Sequence, residues 1–155
     1  MDVQMELSRI LIRELNDGQI IELREVGGSR SFPIVIGVSE ALAIERRLRG
    51  EEPPRPMSHD LMASLIHAFG GRLDRVVVHE LSEGTFYAVL CIETPEGERL
   101  VDARPSDAIA LAVADGISVY VSESVLDAVQ QQDDASGPGP DFDQPGDFDM
   151  GGDLS

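Results

Sequence analysis

The chain has 155 residues, one cysteine and no lysine, and its 29 acidic side chains face 12 basic ones, all arginine, for a formal charge of −17. That length suits one domain burying a single core without disulfides or a structural metal, and a lone cysteine excludes an internal disulfide. Seven of the acids, all Asp, follow Gln130, and the other 22 still outnumber the arginines, which excludes nucleic-acid binding by broad phosphate neutralisation unless a metal ion, a local arginine cluster or a basic partner intervenes.

The first predicted strand is "MELSRILIREL", where Ile10 and Ile12 alternate with polar neighbours. "NDGQ" then reads as a tight turn, and "IIELREV" and "SFPIVIG", separated by "GGSR", complete a three-strand meander. Ser39 opens "SEALAIERRLRG", a helix in which the hydroxyl is expected to cap the first turn, Glu40 to complement the helix dipole and Gly50 to close the end. After the stiff "EEPPRPM" comes "SHDLMASLIHAFGG". Ser58 is its expected N-cap, and Leu61, Met62, Leu65, Ile66 and Phe69 recur at the helical period, predicting an amphipathic helix that Gly70 stops. The second half restarts with strands "DRVVVHEL", "FYAVLCIET" and "RLVDA", joined by turns "SEGT" and "PEGE". Ser106 opens the helix "SDAIALAVADG", "ISVYVS" returns as a strand, and "SESVLDAVQQ" forms a closing helix.

Residues 131–155 are rich in Gly, Pro and Asp and lack the apolar content to offset their own ordering entropy, so they are expected to form a disordered acidic tail after a domain spanning 1–130. Within it Phe142 and Phe148, each flanked by Asp, could dock on a protein partner. The longest apolar run, "AIALAVA", is too short to span a bilayer, and no early basic segment followed by an apolar stretch marks export. The expectation is a cytoplasmic protein with no membrane contact and a buried, inert Cys91.

The two halves repeat. "REL-NDG" at 13–18 matches "HEL-SEG" at 79–84, and "SEALAI" at 39–44 matches "SDAIAL" at 106–111, with offsets of 66 and 67. Three strands and a helix thus occur twice. The predicted fold is a single compact α+β domain of duplicated β-β-β-α units with additional helices. Two such meanders leave strand edges to cover, so a homo-oligomer is expected.

In the repeat, Asp102, Arg104 and Pro105 stand opposite Val35, Gly37 and Val38. Charges at a strand end just before a helix N-terminus lie where α/β arrangements build ligand sites; an ion pair of Asp102 with Arg104 or Arg55, fastening the loop, explains them equally well. The other concentration of chemistry is "RPMSHD". His59 can serve as acid, base or ligand near neutral pH, and Asp60 can hold a metal or simply complement the helix dipole. His67 is expected to pack and His79 to lie on the surface. If the two helix starts converge, Arg55 and Arg104 would grip phosphate, His59, Asp60, Asp102 and Asp107 would form the catalytic group, and Asp60, Asp102 and Asp107 would hold a divalent Mg or Mn ion.

"RPMSHDL", "VVVHELSEGTFYAVL" and "DARPSDAIALA" followed by "ISVYVSESVL" closely resemble, in order, the bifunctional nuclease domain of bacteria and plants, over roughly residues 4–130. The resemblance implies a compact α+β domain with nuclease activity on RNA and DNA. Arg55, Pro56, His59, Asp60, Asp102, Arg104, Pro105, Ser106 and Asp107 come across as motif members, while the roles given to them above rest on their chemistry. Two functions follow: phosphodiester hydrolysis of RNA or DNA, or a non-catalytic module binding a small anion or a protein partner through the same pocket.

Overall fold

The computed structural model describes residues 1–13 and 18–136. Strands β1 (Asp2–Leu11), β2 (Gln19–Glu25) and β3 (Ser31–Ile36) pair antiparallel as the expected meander. Along β2 the burial alternates, with Ile21 and Leu23 fully buried and Arg24 exposed, as the two-residue strand period requires. Residues 16 and 17 of the turn predicted at "NDGQ" lie outside the described residues, and Gln19 already opens β2. Helices α1 (Val38–Leu48) and α2 (Ser58–Ala68) follow.

The second meander is β4 (Arg72–Ser82), β5 (Thr85–Thr94) and β6 (Gly97–Ala103). Its first turn has Glu83 and Gly84 at φ of 52° and 77°, the double left-handed conformation that matches the twist of a two-residue hairpin. Then come α3 (Pro105–Asp115), β7 (Ser118–Ser122) and α4 (Glu123–Ser136). Strand β7 pairs antiparallel with β1 and parallel with β4, fusing both meanders into one seven-stranded sheet of order β3-β2-β1-β7-β4-β5-β6. The chain is therefore a single α+β domain of two β-β-β-α units, with α2, β7 and α4 added.

This sheet is strongly curled. Four strands separate β3 from β5, so a flat sheet would hold them roughly 24 Å apart at about 4.8 Å per strand. Yet Phe32 of β3 and Phe86 of β5 stack with ring centroids 5.6 Å apart. Helix α3 lies at the centre of the core, with Ala108, Ile109, Ala110, Leu111 and Ala112 all buried. A helix apolar on every side is one surrounded by protein, and α3 packs on α1, α2 and strands β4, β5 and β7. Val125, Leu126 and Val129 of α4 join the same cluster.

Three expectations are revised. The helices start earlier than the serines: the N-caps are Gly37, Met57 and Arg104 rather than Ser39, Ser58 and Ser106. At α3 the reason is Pro105, whose fixed φ and missing N–H suit the first helical position. At α2 it is Asp60, whose carboxylate accepts the Met57 N–H at 2.8 Å. Helix α2 also covers little of the core: Leu61, Leu65 and Phe69 are 52%, 48% and 84% exposed, and Ala63 and Ile66 make its apolar packing. Finally, α4 runs on through Ser136, so 131–136 are helical, while 137–155, with Phe142 and Phe148, lie outside the described residues.

Candidate functional site

With the caps placed as observed, Glu40, Asp60 and Asp107 each occupy the third position of their helix. A carboxylate there is favoured by the free N–H groups and positive end of the first turn. The first turns of α1, α2 and α3 converge, and a cavity of about 530 Å³ opens between them, lined by all three acids together with His59, Arg46, Arg47 and Arg104.

Arg104 organises the polar wall. Its Nε donates to Asp107 Oδ2 at 2.9 Å, and its Nη2 donates to Asp107 Oδ1 at 3.1 Å and to Glu40 Oε1 at 2.8 Å. The remaining nitrogen, Nη1, has no acceptor among the described residues, although the side chain is 65% exposed. His59 Nε2 meets Asp107 Oδ1 at 2.9 Å, and its Nδ1 has no partner among the described residues. A carboxylate at Nε2 favours the tautomer with its proton there, leaving the Nδ1 lone pair available as a base. Burial pushes the Asp107 carboxyl up, but hydrogen bonds from Arg104 and His59 outweigh it and hold the carboxyl below its ordinary range. Arg104 is held above its own usual range by hydrogen bonding to Asp107 and then Glu40. Asp60 is ion-paired with Arg47. Arg46 lines the cavity with no carboxylate partner among the described residues.

Of the residues singled out in the sequence, His59, Asp60, Arg104 and Asp107 share this cavity. Arg55 is exposed in the loop before α2 and is not part of the wall. Asp102 lies on edge strand β6 opposite Val89, exposed. Its neighbour Ala103 packs on the core, so strand alternation turns Asp102 to the other face of the sheet, away from α3. Neither Arg55 nor Arg104 pairs with Asp102 among the described residues. Cys91 is buried, and burial raises its thiol. His79 is exposed; His67, expected to pack, is exposed too and borders a smaller cavity of about 210 Å³.

The donor set does not fit a resident divalent ion. Asp102 lies outside the cavity that Asp60 and Asp107 share, those two are paired with guanidiniums, and no group of three or more His, Cys, Asp or Glu among the described residues is placed to hold one. Glu40, Arg46 and Arg47 were not singled out as site residues. The repeat offset carried a signal for Glu40, because 67 residues separate it from Asp107, and the two acids of the duplicated helices close on the same guanidinium.

The fold and the cavity define a duplicated α+β domain with a hydrogen-bonded His–Asp pair set among arginines. The chain belongs to the bifunctional nuclease domain family, whose model matches residues 20–134. It is 44% identical over 117 residues to uncharacterized proteins from two strains of Mycobacterium tuberculosis, CDC 1551 / Oshkosh and ATCC 25618 / H37Rv, a match covering 76% of this chain and 70% of each relative. Among the described residues no helix is long and apolar enough to cross a membrane.

Proposed function

We propose that the cavity hydrolyses phosphodiester bonds, with His59 as the general base and acid. The observation that carries this reading is the His59–Asp107–Arg104 array at the wall of the cavity, with His59 Nδ1 and Arg104 Nη1 left open. In the reaction His59 Nδ1 takes a proton from water as its oxygen bonds to phosphorus. The ester P–O bond breaks, and the departing alkoxide takes the proton back from the imidazolium. Asp107 fixes the ring and offsets the transient imidazolium charge, and Arg104 Nη1 with Arg46 binds the non-bridging oxygens, whose charge grows in the transition state. Family membership supports the substrate class.

The test is cleavage of end-labelled single-stranded RNA and DNA by the full chain, with and without EDTA. His59→Ala and Asp107→Asn should each lower kcat by about 10²–10⁴-fold, the usual contribution of a positioned acid–base group, and EDTA should leave the rate unchanged. Activity that survives both substitutions overturns the assignment. The salt-bridged state of Asp60 and Asp107 favours a second reading, in which the pocket binds an anion without cleaving; it would give binding with no turnover in the same assay. The free, buried Cys91 supports a reducing cytoplasmic setting, and the uncovered β6 edge and α2 face support self-association, which light scattering measures.

A further inference from the structure

We infer that the nucleic acid this site takes is a short oligonucleotide of a few residues rather than a long polymer, with one nucleoside unit inside the cavity. The inference rests on the phosphodiester reading above and adds the size of the substrate. The first observation is the charge inside. Arg46, Arg47 and Arg104 face Glu40, Glu51, Asp60 and Asp107 around the same space, so the wall is near neutrality, and Arg46 is its one guanidinium without a carboxylate among the described residues. Such a wall accommodates one or two phosphates. It does not draw in a chain of them.

The second is the charge outside. A polymer must lay its flanking phosphates on the surface beyond the cavity, and each lengthening adds negative charge against a molecule of formal charge −17. Most of the arginines that could receive them are already held by carboxylates, including Arg24, Arg30, Arg75 and Arg99. Outside the cavity only Arg9, Arg13 and Arg55 lack a carboxylate partner among the described residues. A dinucleotide escapes this repulsion because nearly all of its charge is inside.

The third is the apolar part of the wall. Leu42, Met57 and Met62 line the cavity while remaining 43%, 42% and 38% exposed, giving a flexible apolar slot for an unstacked base. The volume, about 530 Å³, lies within the roughly 300–1,000 Å³ typical of small-ligand sites.

The experiment compares a 5′-phosphorylated dinucleotide with a single strand of about 24 nucleotides, in RNA and DNA, between about 50 and 200 mM salt. The expected result is a kcat/KM per bond at least about tenfold higher for the dinucleotide at low salt, with the gap narrowing as salt screens the repulsion. Arg46→Gln should weaken both, and Arg9→Gln, an exposed arginine outside the cavity, neither. A preference for the long strand, or a steep loss of its rate with salt of the kind shown by proteins making many phosphate contacts, overturns the inference. If nothing is cleaved, the hydrolytic reading fails, and thermal stabilisation decides the size question separately. A shift with 5′-AMP that exceeds the shift with the long strand at equal nucleotide concentration, and that disappears in Arg46→Gln, supports it. A larger shift with the strand, or no shift with either, overturns it.

Discussion

Replacing Arg104 by Ala removes the guanidinium that joins the two repeat units. Three hydrogen bonds are lost, at 2.8, 2.9 and 3.1 Å, leaving Glu40 and Asp107, whose side chains are only 16% and 22% exposed, without their shared guanidinium, Asp107 keeping only its contact with His59. Charge-assisted bonds of this kind contribute about 1.5–3 kcal/mol when buried and exposed ion pairs about 0.2–1 kcal/mol. The mostly exposed Arg104 places the cost near the lower end, at about 1–2 kcal/mol. Helix capping is not affected, because the side chain makes no cap hydrogen bond. Asp107 titrates below its unfolded value, so its contribution is complete above about pH 4 and is lost as the pH falls through the lower folded value. Urea unfolding of both proteins from about pH 7 down to about pH 2 should therefore show a gap that is constant near neutrality and narrows progressively below about pH 4. A gap that persists unchanged in acid would refute the electrostatic account and leave packing of the arginine stem as the cause.

Gly37→Ala tests the same contact from the other repeat unit. A Cβ there would stand 2.3 Å from the Glu40 carboxylate, while the backbone, at φ −72°, accepts alanine. Folding stability should change by less than about 1 kcal/mol, and kcat should fall as Glu40 releases Arg104; unchanged kinetics would remove Glu40 from any positioning role. Gly71→Ala should destabilise by about 1–3 kcal/mol in thermal unfolding, because its Cβ would meet the Ile66 carbonyl at 3.0 Å and Ile92 at 2.9 Å. Asp102→Asn should leave cleavage and stability within error, since the side chain is exposed on the far face of β6; a large loss of activity would return Asp102 to the site.

The repeat was legible because alternation, turn residues and an offset of 66–67 survive in the residues themselves, and the α+β class follows from their order. What escaped was set by tertiary context. A helical period in α2 marks an apolar face, but the period does not say whether anything covers it, and Leu61 and Phe69 are exposed. Ser58 and Ser106 carry the usual capping chemistry, yet Pro105 and the Asp60–Met57 contact shift the helix starts upstream. Asp102 and Arg104 stand two apart, a spacing that a continuing strand would keep on one face, but β6 ends at Ala103 and Arg104 leaves it as the N-cap of α3. Conversely, His59 and Asp107 are 48 residues apart and meet at 2.9 Å because α2 and α3 pack together.

The two copies differ where they meet. One contributes a glycine at position 37, the other an arginine at position 104, and both contribute an acid three residues later. A symmetric pair of identical half-units would set two guanidiniums in that seam or none. Joining the halves in a single polypeptide lets one side surrender its side chain so that the other can reach across, which makes a lopsided centre available to an otherwise twofold architecture.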